Sequence, residues 1–520
     1  MVNLFLNSRV LLVFVLPLIL GCLSVFSFQP YNFSIINFFI FPCFFFILSN
    51  INKRSKNKYR KKPHLINLFY AGYFFGIGFF LTGTYWISNS LQFDQSFKNF
   101  IPLTIILIPL SLGLFYGLAT LVCGKYLKYD LSSILLFCAT ISFVDYLRAK
   151  IFTGFPWNLW AYSWSWFNEI IQILNPIGLF ALNLLAVTIF CIPSIFFIKK
   201  FKYKSSIIVL SFLIFFANYL YGNYVINSNE IKSLKNLEED RFIYVKIISP
   251  NFELKYNISE EETNDRIKKL IRYSNIEKNK KTLFVWPEGA LSGKYFYEVE
   301  KYRNLFKENF SKNHLIIFGV NTLAETADKF FNSFIIVDNH LNKKFQYNKI
   351  KLVPFGEFLP FQSQFEKIGL KKITEGFGSF SYGNTHDTFS YENLNILPLI
   401  CYEIIFPELI QKLSSKTNLL INISEDAWFG DTIGPHQHFS KSIFRAIESD
   451  SFVLRSANKG ISAIINNKGQ IIKALKNNET GNLEYKLPIV EKKRGNKNDL
   501  IFFVLLFTYY LIFLKYKKND

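Results

Sequence analysis

Of the six cysteines in this 520-residue chain, Cys22, Cys43, Cys123, Cys138 and Cys191 lie in or at the ends of apolar stretches, where a small soft hydrophobe is unremarkable. Cys401 stands alone in a polar region. It closes the apolar run Leu397-Pro398-Leu399-Ile400 and precedes Tyr402, Glu403 and, at an expected helix start, Pro407. A thiol held between a strand end and a helix N-terminus, with a cation nearby, would have its thiolate favoured and could act as a nucleophile. A buried cysteine that merely packs fits the same local sequence. Its solitude excludes a disulfide within that region, and no cysteine cluster has zinc-site spacing.

Two other segments carry the groups such a nucleophile would need. Phe284-Val285-Trp286-Pro287-Glu288 is an apolar strand ending in a carboxylate. A glutamate just beyond a buried strand is placed for a raised pKa and general-base work, although strand-end glutamates are also commonly solvated caps. The stretch Tyr347 to Pro360 sets Lys349, Lys351 and Glu357 among aromatic, proline and glycine residues, the composition of a rigid loop. A fixed ammonium there could stabilise an oxyanion. A surface lysine pair beside a structural glutamate is the plainer alternative.

These segments need a scaffold, and composition says of what kind. The chain is 50% hydrophobic and 18% aromatic, too apolar for an ordinary soluble enzyme, yet 19% of its residues are charged and concentrate in one long central stretch. Stretches of roughly 20 apolar residues fall near 9–28, 32–50, 65–87, 101–123, 131–148, 173–198, 205–223 and 499–515, about eight membrane spans. The net charge of +21 comes as short basic runs flanking those spans, not as a stripe interleaved with base-stacking aromatics, so it reads as topology signal and not as nucleic-acid binding. Counted from the N-terminus, the basic runs at 51–62, 199–204 and 515–518 all fall on the side of residue 1. That places both termini in the cytoplasm and residues 225–495 on the extracytoplasmic face. Ile19-Leu20-Gly21-Cys22 looks like a lipoprotein processing site, but removing the segment would break this alternation.

The expected division is therefore a membrane domain over 1–224, an extracytoplasmic catalytic domain over 225–495, and a last span with a cytoplasmic tail over 496–520, the charged stretches 225–241 and 488–498 acting as tethers. Within the central region, strands are expected at Phe242 to Ile248, Leu283 to Trp286, Leu315 to Val320, Phe334 to Val337, Ile396 to Ile400, Leu419 to Ile423, Phe452 to Ser456 and Ile461 to Ile465. Helices are expected at about 259–277, 296–310, 406–414 and 436–449. The alternation reads as an α/β layered domain.

Taken together, the three segments resemble the nitrilase superfamily, whose Glu, Lys and Cys triad sits in this order on an αββα sandwich. The resemblance is strongest to its membrane-bound, apolipoprotein-acylating branch. Trp286-Pro287-Glu288, Tyr347-Asn348-Lys349 through Pro354-Phe355-Gly356-Glu357-Phe358, and Cys401-Tyr402-Glu403 match the catalytic blocks. Asp426-Ala427-Trp428-Phe429-Gly430, Gly434-Pro435-His436-Gln437-His438 and, in the membrane part, Thr153-Gly154-Phe155-Pro156-Trp157 match further signatures, so the likeness covers nearly the whole chain.

The resemblance implies that Glu288 is the base, Lys349 the oxyanion donor and Cys401 the carrier of an acyl thioester. Glu357, Tyr402 and Glu403 support them, and Trp428 and Phe429 line an acyl groove or pack the core. It implies a phospholipid donor, a diacylated apolipoprotein acceptor, no cofactor and residence in the bacterial inner membrane. The aromatic loop Phe155 to Trp166 is suited to the membrane interface. His436 and His438 have no further ligand cluster, so no metal is expected. Glu425 departs from the pattern, which usually has Asn before Asp-Ala-Trp; it is not expected to abolish activity. A membrane-tethered amidase using water as acceptor, and a non-catalytic scaffold or transporter, are the alternatives.

Overall fold

The computed structural model describes residues 8–56, 63–93, 95, 97–198, 203–228, 242–255, 258–324, 329–360, 380–413, 417–489 and 499–517. Residues 229–241 and 490–498 of the expected tethers lie outside these, as do 57–62, 199–202 and 518 of the basic runs. The chain divides into two compact units: Met1–Asn89, Asn99–Val225 and Asn498–Asp520 form the first, and Ser90–Lys98 with Ile226–Lys497 the second.

The first unit is helical. Among the described residues, seven helices are long and apolar enough to cross a membrane: Ser34–Lys53, His64–Phe93, Lys98–Gly124, Leu131–Lys150, Leu179–Phe197, Lys204–Asn227 and Leu500–Lys517. The first expected span forms a shorter apolar helix, Leu11–Ser27. It opens on a π turn at Leu11–Val15 and tightens to 3-10 geometry at Ser24–Ser27. The span expected at 173–198 is broken near its start, because Gly178 takes φ 82° and the long helix begins only at Leu179. Helices cross closely where side chains are missing: a Cβ on Gly21 would lie 2.1 Å from Phe75 O.

A buried polar group ties this unit together. Asp145 accepts from Arg148 (3.1 Å), Tyr116 (3.2 Å) and Asn183 (3.1 Å), and Arg148 also holds the carbonyl of Phe155. The aromatic loop that follows is not displayed at an interface as expected. Trp157, Trp160, Tyr162 and Trp164 are buried, with Trp160 packed 4.6 Å from Phe79, and Trp166 is the exposed ring. Pinning the loop's first carbonyl to Arg148 turns its rings inward.

The second unit is an αββα sandwich. Its strands are β1 (Phe242–Ser249), β2 (Thr282–Val285), β3 (His314–Leu323), β4 (Phe330–Val337), β5 (Lys343–Asn348), β6 (Phe389–Tyr391), β7 (Leu394–Ile400), β8 (Leu419–Glu425), β9 (Phe452–Asn458), β10 (Ser462–Ile465), β11 (Ile471–Leu475) and β12 (Gly481–Pro488). They form two six-stranded sheets in the orders β12-β1-β2-β3-β4-β5 and β11-β10-β9-β8-β7-β6. In each, three central strands run parallel, β1 to β3 and β7 to β9. Buried on both faces, they read as continuous apolar runs. The inner faces share one core, with Val245, Ile317 and Ile336 from one sheet against Ile396, Ile421 and Leu454 from the other.

Helices α1 (Glu260–Tyr273) and α2 (Arg303–Asn309) cover the first sheet through Ile267, Leu270 and Phe306. Helices α3 (Pro407–Gln411) and α4 (Gly434–Ser449) accompany the second. Ser259 caps α1 by accepting from the Glu262 amide at 3.1 Å, and three glutamates fill its first turn. The helix expected at 296–310 is interrupted by a 3-10 turn, Glu300–Tyr302, and α3 is shorter than expected. Strands β5, β6, β11 and β12 were not expected. They are edge or near-edge strands, short or studded with exposed residues, as Lys343 and Lys344 illustrate in β5.

Candidate active site

The parallel strands deliver their carboxyl ends to one place, as open α/β sheets generally do. Glu288 follows β2, Cys401 follows β7, Glu425 ends β8, and Lys349 leaves the antiparallel β5, its amide bonded to Asn332 O on β4 at 2.9 Å. Tyr347 and Asn348, expected in the rigid loop, thus close a strand instead, and the loop begins at Lys349.

Lys349 lies among three ionisable groups. Its Nζ donates to Glu357 Oε1 at 2.8 Å and stands 3.8 Å from Glu288 Oε1. Asn332 Nδ2 donates to both carboxylates, 2.7 Å to Glu288 and 2.9 Å to Glu357. The other Glu288 oxygen accepts from the Glu425 amide at 3.0 Å, and the other Glu357 oxygen from the Val353 amide at 2.8 Å. Burial pushes the Glu288 pKa up, and Glu357 adds to the rise; Lys349, Asn332 and the Glu425 amide oppose it without cancelling it. Burial works against the Lys349 ammonium, but Glu357, Glu288 and the Cys401 sulfur outweigh it, leaving its pKa above the ordinary lysine value.

Cys401 sits at φ 48°, the left-handed region unusual for a residue with a side chain. Its thiol pKa is raised by burial and then by Glu288, with Lys349 and the Ser424 hydroxyl pulling the other way. The expectation that the resting thiolate is favoured is therefore corrected. The residues from Cys401 form a 3-10 turn, Cys401–Ile405, and the regular helix begins at Pro407, as expected.

Glu403 braces this turn. Oε1 accepts from Tyr347 Oη (2.6 Å) and from the amides of Ile350 (2.8 Å) and Lys351 (3.1 Å), while Oε2 accepts from the Ile400 amide (2.8 Å). One carboxylate thereby ties the cysteine turn to the lysine loop. Tyr402 packs edge-on to Phe406 at 5.1 Å. Trp428 meets Phe93 edge-on at 5.3 Å, and Phe429 meets His438 at 5.2 Å.

On the far side of Cys401 lies a cluster that sequence reasoning missed. His438 Nε2 lies 3.2 Å from Cys401 O, and its Nδ1 lies 3.0 Å from Arg455 Nη2. Arg455 pairs with Asp426 at 2.7 Å and also bonds Asn422, whose amide reaches the Leu399 carbonyl at 3.2 Å. Burial and the neighbouring Arg455 lower the His438 pKa to about 4. A neutral imidazole donates either Nε2–H to Cys401 O while accepting at Nδ1 from Arg455, or Nδ1–H to Asp426 Oδ1 at 3.1 Å. Asp426, despite burial, is held at about 2 by Arg455 and His438. Among the described residues, no group of three or more His, Cys, Asp or Glu is disposed to hold a metal ion.

Comparisons with known proteins match both parts of the chain. The family model for the apolipoprotein N-acyltransferase N-terminal domain matches residues 20–192, and that for carbon-nitrogen hydrolase matches residues 249–491. The apolipoprotein N-acyltransferase of Rickettsia bellii is 33% identical over 459 residues, covering 85% of this chain and 88% of that protein. That of Rhizobium leguminosarum bv. trifolii is 31% identical over 426 residues, 79% and 78% of the two chains. That of Allorhizobium ampelinum is 28% identical over 497 residues, 93% and 92%.

Proposed function

The chain belongs to the apolipoprotein N-acyltransferase family, and from that premise we propose that Cys401 carries a fatty acyl group between a phospholipid and an apolipoprotein, with Glu288 as base and Lys349 as oxyanion donor. Glu288 takes the thiol proton as sulfur attacks the ester carbonyl, and the Lys349 ammonium meets the developing oxyanion. As the intermediate collapses, the departing lysophospholipid oxygen takes the proton from Glu288 and leaves a thioester. The α-amine of a diacylglyceryl-cysteine then attacks the thioester. Glu288 accepts the amine proton, the amide forms, and the expelled sulfur regains its proton. Splitting the transfer in two replaces a slow ester-to-amide step with two easier ones.

The observation that carries this reading is the meeting of Glu288 and Lys349, 3.8 Å apart, with Cys401 close enough for both charges to act on its thiol. In it Glu357 holds Lys349, and Glu403 with Tyr402 holds the turn bearing the nucleophile. Trp428 and Phe429 are assigned to the acyl chain. The protein is a membrane protein; we assign it to the bacterial inner membrane with the catalytic unit on the periplasmic side and both termini cytoplasmic, supported by the one-sided basic runs. Both substrates are lipid-anchored, and drawing an acyl chain into water costs about 0.8 kcal/mol per CH₂, which is why such an enzyme is built into the bilayer.

The test is mass spectrometry of the purified protein after incubation with phospholipid. A hydroxylamine-sensitive acyl adduct on Cys401 that moves to a lipopeptide amine is expected. Release of free fatty acid instead would mark a hydrolase, and full transfer by Cys401→Ser would refute the nucleophile.

A further inference from the structure

Glu288 has a fixed root and a lightly held head. Its backbone packs against β3 at Gly319, where an added Cβ would lie 3.1 Å from Glu288 Cα. Among the described residues each carboxylate oxygen accepts one hydrogen bond, Oε2 from the Glu425 amide at 3.0 Å and Oε1 from Asn332 Nδ2 at 2.7 Å. Lys349 stands 3.8 Å from Oε1, beyond hydrogen-bond reach. Two N–H groups therefore decide where the base points.

Asn332 does more than hold one oxygen. The same Nδ2 donates to Glu357 Oε1 at 2.9 Å, the oxygen that also takes Lys349 Nζ at 2.8 Å. Its carbonyl accepts from the Lys349 amide at 2.9 Å, at the point where β5 ends. One residue thus sets the root of the ammonium and the heads of both carboxylates. Two carboxylate oxygens drawn to one nitrogen cannot stand farther apart than its two hydrogen bonds laid end to end, so their charges repel strongly. The amino side of Asn332 must face them, since Oδ1 would set a third acceptor against two. Other charges nearby are committed elsewhere: the Glu425 side chain accepts from the Ala427 amide and Asn458, and Asp426 pairs with Arg455 at 2.7 Å.

We propose that Asn332 is a positioning residue for the general base: its carboxamide, clamped between Glu288 and Glu357, keeps the ionised base aimed at Cys401 and leaves Lys349 on Glu357. The inference rests on Glu288 acting as the base. A neutral donor suits this place. A second cation would satisfy both carboxylates and remove the readiness of Glu288 for a proton, whereas an apolar side chain would leave Oε1 without a hydrogen bond and facing the Glu357 charge. The amide favours the ionised base, against burial and Glu357, without neutralising it. Without Asn332, Glu357 has lost a donor of its own and keeps Lys349, so nothing replaces the bond at Glu288 Oε1.

The test is single-turnover thioester formation by the full-length enzyme in detergent, mixed with phospholipid and followed by intact mass across pH. Asn332→Leu is expected to move the acid limb up by about one pH unit, because the ionised base has lost a donor. It is also expected to lower the rate on the plateau above that limb by about 10–100-fold, because the base that remains is misplaced. A rate lost with the limb unmoved would mean a structural role alone. A limb raised with the plateau intact would mean charge without positioning, and a limb displaced to lower pH would mean that Lys349 has taken the place of the amide. Each of these overturns the proposal. Asn332→Asp keeps the shape and exchanges the donor for an acceptor, so it should raise the limb further and serves if the leucine variant folds poorly. Thioester formation by Glu288→Gln at the wild-type rate would sink the assignment of the base; a limb that Glu288→Gln removes and Asn332→Leu leaves in place would sink this inference alone.

Discussion

Two buried charged clusters flank Cys401, and their chemistry is opposite. On one side Lys349 faces Glu357 at 2.8 Å and Glu288 at 3.8 Å, two carboxylates to one ammonium. On the other, Asp426 has a guanidinium to itself, and the imidazole beside it is neutral. Burial lifts Glu288 above its ordinary pKa, with Glu357 adding to the rise and Lys349 not cancelling it, whereas Arg455 and His438 overcome burial for Asp426, which sinks to about 2. Burial alone therefore does not mark a working acid or base; whether neighbouring charge compensates it does. In the proposed mechanism the first cluster exchanges a proton. The second keeps one protonation state near neutrality, and so it can hold the Cys401 carbonyl and its left-handed backbone without competing for the thiol proton.

The comparison breaks first at Glu288. Glu288→Gln is expected to slow thioester formation about 10²–10⁴-fold, as for loss of a general base. Because the Glu288 pKa is raised, wild-type activity should fall on acidification at a higher pH than an ordinary glutamate would give, and that limb should vanish in the variant. Lys349→Met follows, with a loss of about 10²–10³-fold from the missing oxyanion donor. Both are read by mass-resolved single turnover. Neither substitution is expected to alter how stability responds to pH around the second cluster.

That second cluster should answer in stability. His438 has a folded pKa of about 4 against 6.5 ordinarily, so the unfolded chain binds a proton between these values that the folded one refuses. Stability is full above pH 6.5 and declines as pH falls towards 4, by about 3 kcal/mol if no other group compensates. His438→Gln, whose amide can still donate to Cys401 O, should flatten that decline in thermal midpoints followed from pH 7 to 4. An unchanged slope would mean that His438 is not the buried neutral group the geometry requires.

Glu288, Lys349 and Cys401 were readable from the sequence because each follows a strand, two of them after runs as apolar as Leu283 to Trp286 and Leu397 to Ile400. Asn332 was not, since an asparagine inside Phe330–Val337 reads as an outward-facing polar residue; only the bend of Glu357 back towards Glu288 gives it two acceptors. Arg455 on β9 and Asp426, just past the end of the neighbouring β8, lie 29 positions apart, a pairing no local pattern encodes. The edge strands were lost for the same reason in reverse: β11 is mostly exposed, so its apolar alternation is too weak to see. The thiol state was misjudged because sequence shows a nearby lysine but not the burial and the carboxylate that outweigh it.

The smallest effect is expected where the two clusters touch. The Ser424 hydroxyl donates its one proton to Asp426 Oδ1 at 2.6 Å and, turned towards a Cys401 thiolate, would donate there instead, which draws the thiol pKa down. Ser424→Ala removes one hydrogen bond to a charged group, worth about 1.5–3 kcal/mol. Asp426 retains Arg455 and should stay ionised, so the loss should show as a modest fall in the thermal midpoint. The thiol loses a partner that favours its charged form, its pKa moves further up, and alkylation of Cys401 near neutrality should slow by up to about tenfold, the most that 1.4 kcal/mol allows. Faster alkylation in Ser424→Ala would reverse the sign: the hydroxyl would then be holding the thiol protonated, and the two clusters would be chemically joined at the nucleophile instead of merely adjacent to it.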